Sequence, residues 1–326
     1  MSLRDASLEA DRRRLSGSAP PLTVGLVNLM PDAAFADTET QFRHVLAAAA
    51  DQHTVRIELY TLPEIRRAGR ALTGARSRYH NLERLFEQPL DGLIVTGTEP
   101  QQADLRQEPY WHSLCRLIDW ATDNTASTVF SCLAAHAAVL KLDGIERQRL
   151  PAKLTGLLAC TRVERHWLTE KTPDLWHTPH SRWNGVSEAD LTSKDYQILT
   201  RSPQAGADVF AKAFGSQFVF LQGHPEYQGD TLQREYRRDV RRFLTGETGF
   251  YPGLPANVFS TPIEAELNAV AKLAIDTHDS ALLETVSQLA RGSSKVAPWQ
   301  EQAAQFYRNW LGFLAGTANA RLALPL

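Results

Sequence analysis

Residues 126–138 read Ala126-Ser127-Thr128-Val129-Phe130-Ser131-Cys132-Leu133-Ala134-Ala135-His136-Ala137-Ala138, a β-type run that passes directly into an alanine-rich one. Val, Thr and Phe favour a pleated strand and Ala favours a helix, so the change of residue type predicts a strand, a sharp turn at Cys132 and a helix. That order is the layout of a nucleophile elbow. A thiol at a helix N-terminus has the macrodipole and free backbone N–H groups beside it, which favour the thiolate and can receive a developing oxyanion. Free Cys, with a pKa of about 8.5, is mostly thiol at neutral pH, so such help matters. On this stretch alone, a buried and inert cysteine is an equal reading.

Outward from the elbow, apolar β-type runs at 23–29, 54–62 and 93–96 alternate with helical patterns from about Glu39 and about Glu108. This predicts an α/β fold with a mostly parallel sheet flanked by helices. Thr38-x-x-Gln41 reads as a capping box, followed by Phe42, Val45, Leu46 and Ala49 at helical spacing. Trp111, Leu114, Cys115, Ile118 and Ala121 share one stripe, which makes Cys115 a small buried hydrophobe; Cys160, in an apolar stretch, reads as core. After Leu140 the pattern is less regular until 209–214 and 218–221, two strands of a hairpin around Gly215-Ser216. Asp230 is placed to cap a helix whose Leu232, Tyr236, Val240 and Phe243 form an apolar stripe, ended by Gly246. Helices follow from Thr261-Pro262, near Ser280 and near Pro298. The division expected is a mobile arm over 1–20, a main domain over 21–247 and a helical C-terminal extension over 248–326.

Gln222-Gly223-His224-Pro225-Glu226-Tyr227 comes directly after that hairpin. Pro225 fixes the backbone between His224 and Glu226, so the carboxylate can hold one imidazole nitrogen while the other faces Cys132. By itself the motif also suits a structural loop; together with an elbow cysteine it makes a Cys-His-Glu hypothesis. A third element, Asp91-Gly92-Leu93-Ile94-Val95-Thr96-Gly97-Thr98-Glu99-Pro100, is a strand that opens into a turn. Sites on α/β sheets gather at strand C-termini, so backbone N–H groups at Gly97 and Thr98 are placed to join that of Leu133 as an oxyanion hole. His136, four residues after Cys132, reads as a packing residue.

Bulk composition narrows the function classes. Of 326 residues 43% are hydrophobic, enough for a large core, and the balance of 35 Lys and Arg against 37 Asp and Glu gives a formal net charge of −2. Nucleic acid and anionic membranes are therefore not expected partners. No apolar run approaches the roughly 20 residues that cross a bilayer, and the charged start has no signal-peptide core, which predicts a cytoplasmic protein. The 3 cysteines lack CxxC spacing, and His44, His53 and His278 show no ligand spacing, so no disulfide framework, metal or redox cofactor is expected.

These residues resemble the homoserine O-succinyltransferase and O-acetyltransferase family, which has the class I glutamine amidotransferase-like fold. The resemblance covers about residues 22–245. It rests on Val27-Asn28-Leu29-Met30-Pro31, Thr38-Glu39-Thr40-Gln41-Phe42, the 91–97 strand, Tyr110-Trp111, the Cys132 elbow, Lys153-Leu154-x-Gly156, Pro179-His180-Ser181-Arg182 and Gly223-His224-Pro225-Glu226-Tyr227. It implies a ping-pong reaction of methionine biosynthesis in which Cys132 takes an acyl group from acyl-CoA and passes it to the hydroxyl of homoserine. Succinyl-CoA or acetyl-CoA is then a co-substrate and no cofactor is permanently bound. His224 becomes the general base and Glu226 its orienting partner. Carried over by position, Lys153, Ser181 and Arg238 are the substrate-binding residues, and a homodimer is the implied assembly. Read without the resemblance, Lys153 and Arg238 are surface charges, Ser181 a loop hydroxyl, and His180 and Arg182 a structural pair.

The chain also departs from the family. Where lysines commonly follow the Asn-Leu-Met-Pro block, it reads Asp32-Ala33-Ala34-Phe35-Ala36-Asp37, so a positive contribution is expected to be missing. The position that separates donors, Gly for succinyl and Glu for acetyl, falls on Gln101, which leaves the donor open. Residues 263–296 read as a helical insertion. Serine or a related hydroxy amino acid is the alternative acceptor, since one methylene is worth only about 1–3 kcal/mol. A glutamine amidotransferase-like thiol hydrolase would have glycines where Phe130 and Ala134 stand. A catalytically silent binding protein would not need Cys132, His224 and Glu226 together.

Overall fold

A computed structural model describes residues 20–291 and 297–323, with side chains to residue 320. The arm expected over 1–20 lies, but for its last residue, outside them. Strand β1 (Leu22–Val27) is buried at every position, as a parallel strand covered on both faces must be. It pairs in parallel with β2 (Val55–Tyr60) and β3 (Gly92–Val95). In turn β3 pairs with β4 (Ser127–Ser131) and β4 with β9 (Ser216–Leu221), again in parallel. Beyond β9 the sheet turns antiparallel through β8 (Gly206–Phe214), β7 (Gln197–Ser202) and β5 (Gln148–Arg162) to β6 (Leu175–Gly185). The complete order is β2-β1-β3-β4-β9-β8-β7-β5-β6 in one 9-stranded sheet. This is the mostly parallel α/β architecture expected, flanked by α1 (Asp32–Ala49), α2 (Gly69–Arg78), α3 (Leu82–Phe86), α4 (Trp111–Asn124), α5 (Leu133–Asp143), α6 (Glu188–Ser193), α7 (Thr231–Leu244), α8 (Thr261–Thr277), α9 (Leu282–Arg291) and α10 (Trp299–Ala323).

Several boundaries differ from expectation. Helix α1 starts at Asp32 rather than near Glu39, because extended Pro31 opens it and the alanines that follow supply its first turns. Thr38 and Gln41 therefore sit inside the helix, not at its cap, and buried Gln41 donates to Thr231 Oγ1 at 3.0 Å. Helix α4 starts at Trp111, not Glu108, after a 3₁₀ turn at Leu105–Gln107. Asp230 occupies the N-cap position of α7 without a capping bond and pairs with Arg234 at 3.3 Å. Cys115 lies on the flank of its stripe and is partly exposed, whereas Cys160 is fully buried; burial pushes both thiols up. The hairpin of β8 and β9 does turn at Gly215, whose φ of 78° suits glycine, and a Cβ there would lie 2.8 Å from Thr122 O.

The last helix enters the core of the sheet. Tyr307, Trp310 and Leu314 are fully buried with Leu22, Val24 and Ile94. A Cβ at Gly92 would come within 2.6 Å of Leu314, so glycine is what lets α10 close on β3. Trp310 Nε1 donates to Ser127 Oγ at 2.9 Å, directly under the elbow strand. The described part of the expected insertion, α8 and α9, packs Leu267, Val286 and Ala290 onto Tyr236, Val240 and Phe243 of α7. It therefore covers the helix that carries Arg238.

Candidate active site

Cys132 joins β4 to α5 with φ 52° and ψ −112°. A non-glycine residue held there costs about 1–3 kcal/mol and persists only where its surroundings impose it. Those surroundings are explicit: Cys132 N–H donates to Leu221 O at 2.7 Å, and Ser131 and Leu133 are buried on either side while Cys132 is partly exposed. From Leu221 the chain runs on to His224, whose N–H donates to Pro179 O at 2.8 Å. His224 Nδ1 is 2.9 Å from Glu226 Oε1, both residues being buried, and the Cys132 thiol is near enough to act on the same imidazole. Burial alone would lower the His224 pKa; the charges of Glu226 and Cys132, with hydrogen bonds to each, reverse that and raise it well above its ordinary value. An imidazolium so stabilised suits a thiolate partner. The structure brings the three expected residues together.

The expected oxyanion region is close by. A Cβ on Gly97 would lie 3.0 Å from Leu133 N and 3.4 Å from Cys132 Cβ, so the backbone of the β3 turn runs against the elbow. Thr98 is partly buried beside it, and Glu99 is drawn outward into a two-point ion pair with Arg242 at 3.1 and 3.2 Å. Gln101 is exposed on the same loop; buried Glu108 accepts the N–H groups of Gln101 at 2.6 Å and Gln102 at 2.7 Å and fixes the loop's path.

Lys153 and Arg238 are not free surface charges. Asp239 holds both, with Lys153 Nζ at 2.7 Å and Arg238 at 2.8 Å, and Glu235 lies 4.0 Å from Arg238. Glu235 also accepts the Tyr227 hydroxyl at 3.0 Å, and the Tyr227 ring stacks on His224 with centroids 4.4 Å apart. The cationic cluster is thus contiguous with the base. Ser181 is partly buried on β6. Its neighbours are held separately rather than as a pair: His180 Nε2 lies within ion-pair distance of Asp208 Oδ1, at 3.2 Å, and Arg182 donates to Asn184 O and Ala205 O at 2.6 Å each. Tyr227 as a stacking partner and Glu235, Asp239 and Asp208 as anchors are additions that the structure makes to the expected residues. Only Glu235, three residues before Arg238 on the same helix, carried a local signal.

Among the described residues one group could hold a metal ion: Cys160, His180 and Asp208, whose donor atoms lie within 4.8 Å of one another. All three are buried, the thiol is kept protonated by burial, and Asp208 Oδ2 already accepts from Thr178 and Thr200 at 3.1 Å. This chemistry suits a buried His–Asp pair at ion-pair distance better than a bound metal ion.

A family model described as homoserine O-succinyltransferase matches residues 7–320. The chain belongs to that family. The homoserine O-succinyltransferase of Rhodopseudomonas palustris is 44% identical over 300 residues, covering 92% of this chain and 90% of the relative. That of Bradyrhizobium japonicum is 44% identical over 295 residues, covering 90% of each. Among solved structures, a glutamine amidotransferase from Thermotoga maritima is similar over 91% of this chain and 99% of its own, with a TM-score of 0.47 and 13% identity. Membership places the chain among O-acyltransferase enzymes. Where lysines are expected in the homoserine O-succinyltransferase family after the Asn-Leu-Met-Pro block, Arg67 comes in from another segment. Its buried guanidinium donates to Met30 O at 2.8 Å and Asn28 O at 2.9 Å and lies over the Phe35 ring. No helix among the described residues is long and apolar enough to cross a membrane.

Proposed function

We propose that this enzyme transfers a succinyl group from succinyl-CoA to the hydroxyl of homoserine through a thioester on Cys132. The observation that carries the proposal is the Cys132–His224–Glu226 arrangement, with the carboxylate 2.9 Å from Nδ1 and the other ring nitrogen left for the thiol. The Cys132 thiolate attacks the acyl carbonyl, and the tetrahedral oxyanion forms beside Leu133 N–H and the Gly97–Thr98 backbone. Collapse breaks the bond to CoA sulfur, which leaves with the proton from His224. His224, now neutral, takes the hydroxyl proton of homoserine as that oxygen attacks the enzyme thioester, and returns it to the departing Cys132. Lys153, Ser181 and Arg238 hold the charged ends of the substrates. Gln101 has no charge to repel a succinyl carboxylate and an amide that can donate to it, which favours succinyl over acetyl. The reaction belongs to methionine biosynthesis, in the cytoplasm, and the working unit is a homodimer.

Intact-mass measurement tests the proposal. The protein is mixed separately with succinyl-CoA and acetyl-CoA, then with homoserine or serine. The expected result is one succinyl adduct on Cys132 that homoserine removes. An acetyl adduct alone would reassign the donor, removal by serine alone would reassign the acceptor, and no adduct with either donor would overturn the thioester.

A further inference from the structure

The turn of helix after Cys132 and the residue before Gly223 meet behind the site. His136, 2% exposed, lies one turn along α5 from Cys132, and its Nε2 is 3.0 Å from Gln222 Oε1. The orientation of the amide is fixed at both ends: Gln222 Nε2 donates to Ala207 O at 2.6 Å, and Oε1 also accepts Val186 N–H at 3.1 Å. A carbonyl oxygen cannot donate, so His136 Nε2 carries a proton. Burial, reinforced by the neighbouring cations Arg182 and Arg147, pushes the His136 pKa down to about 3, which keeps the ring neutral with Nε2–H as its donor. The strand end beyond Gln222 is equally confined. Gln222 N–H donates to Asp208 O at 2.9 Å, and a Cβ on Gly223 would lie 2.4 Å from Thr178 and 2.8 Å from Asp208 Oδ1.

We infer that His136 is a positioning residue: through Gln222 it locks the elbow helix to the strand end that carries His224, and so fixes the alignment of Cys132 with its base. The inference rests on the reading of Cys132 and His224 as nucleophile and base. Space filling alone would be met by any aromatic ring of this size. What requires an imidazole is a donor at Nε2, inside the core, facing an acceptor two residues from the base.

The test uses the full chain with His136→Phe, which keeps the ring and removes the donor, and His136→Gln, which restores a donor near the Nε2 position. Alkylation of Cys132 by iodoacetamide is followed across pH and located by peptide mass, and succinyl-CoA acylation is timed by intact mass. For the folded Phe variant, the alkylation midpoint is expected to move up by about one pH unit and acylation to slow by roughly 10²-fold. Gln should recover most of both. A folded Phe variant with the wild-type alkylation profile and acylation rate overturns the inference. If Phe does not fold, His136→Asn decides, being polar but one methylene too short to reach Gln222; it must show the same shift. Failure of the underlying reading looks different: wild-type protein then takes no acyl group, while the alkylation comparison still decides whether His136 acts on Cys132.

Discussion

The two halves of the sheet supply the site in opposite ways. In the parallel half, β3 and β4 contribute backbone: a strained Cys132 at φ 52° and a glycine turn pressed against Leu133 N. The side chains of those strands are core, and chemistry appears only where the strands end. In the antiparallel half, β5 and β6 contribute side chains from within the strands, with Lys153 and Ser181 partly exposed, His180 turned inward on buried Asp208 and Arg182 on the backbone carbonyls of Asn184 and Ala205. In the proposed reaction the first half makes geometry rigid at the reacting atoms, and the second offers charge and hydrogen bonds to a substrate. Substitutions in the first should therefore change kcat, and in the second chiefly KM.

The largest effects are expected where the halves meet. Cys132→Ala removes the proposed nucleophile, so intact mass should detect no acyl-enzyme; an unchanged turnover would sink the assignment. His224→Ala keeps the thiol but removes the proposed base, and kcat should fall by about 10²–10⁴-fold. Full activity in that variant would mean another base serves.

Next in size is Gly97→Ala. A methyl group 3.0 Å from Leu133 N and 3.3 Å from Ser131 O forces the turn off the elbow and disturbs the proposed oxyanion donors. Loss of one such donor costs about 10²–10³-fold, so a partial displacement should lower kcat by roughly tenfold at unchanged KM. Lys153→Met is the matched change in the other half. It leaves Asp239 paired with Arg238 and should raise KM by about tenfold with kcat little altered. If steady-state kinetics exchange these two patterns, the division of labour between the halves is wrong.

The same division explains what could be read in advance. The parallel strands are apolar throughout and alternate with helices of clear period, so β1, β3, β4 and the elbow were legible to within a residue or two. The residues of β5 to β7 were not. On β6 the inward residues include His180 and Arg182 while Trp183 is exposed, so the hydropathy alternation is inverted; Pro179 within β6 and Pro151 within β5 also argue against strands. The grouping of Cys132, His224 and Glu226 was legible because each sits in a short motif with its own backbone signature, a strand-to-helix turn and a His-Pro-Glu loop. Asp208 and the His136–Gln222 contact were not, since partners 28 and 86 residues apart leave no local trace. Helix α10 read as a tail because its role under β3 depends on Gly92, more than two hundred residues earlier.

The smallest predicted effect separates the two sets of charges by the sign of their pH dependence. His224 is raised in the folded protein, so its contribution to stability is complete below the unfolded value of about 6.5 and is lost as pH climbs through the folded one. Asp239 is the reverse: burial works to raise it, but Lys153 and Arg238 prevail and hold it low. Its contribution is present above the unfolded value of about 3.9 and disappears as pH falls through the folded one. Melting temperatures across pH should therefore show Glu226→Gln differing from wild type by the order of 2 °C near pH 6 and converging with it toward alkaline pH. Asp239→Asn should differ at neutral pH and converge in acid. Two parallel profiles would mean that neither pair is tuned electrostatically, and the contrast between a site built by strain and one built by charge would then have to rest on the kinetics alone.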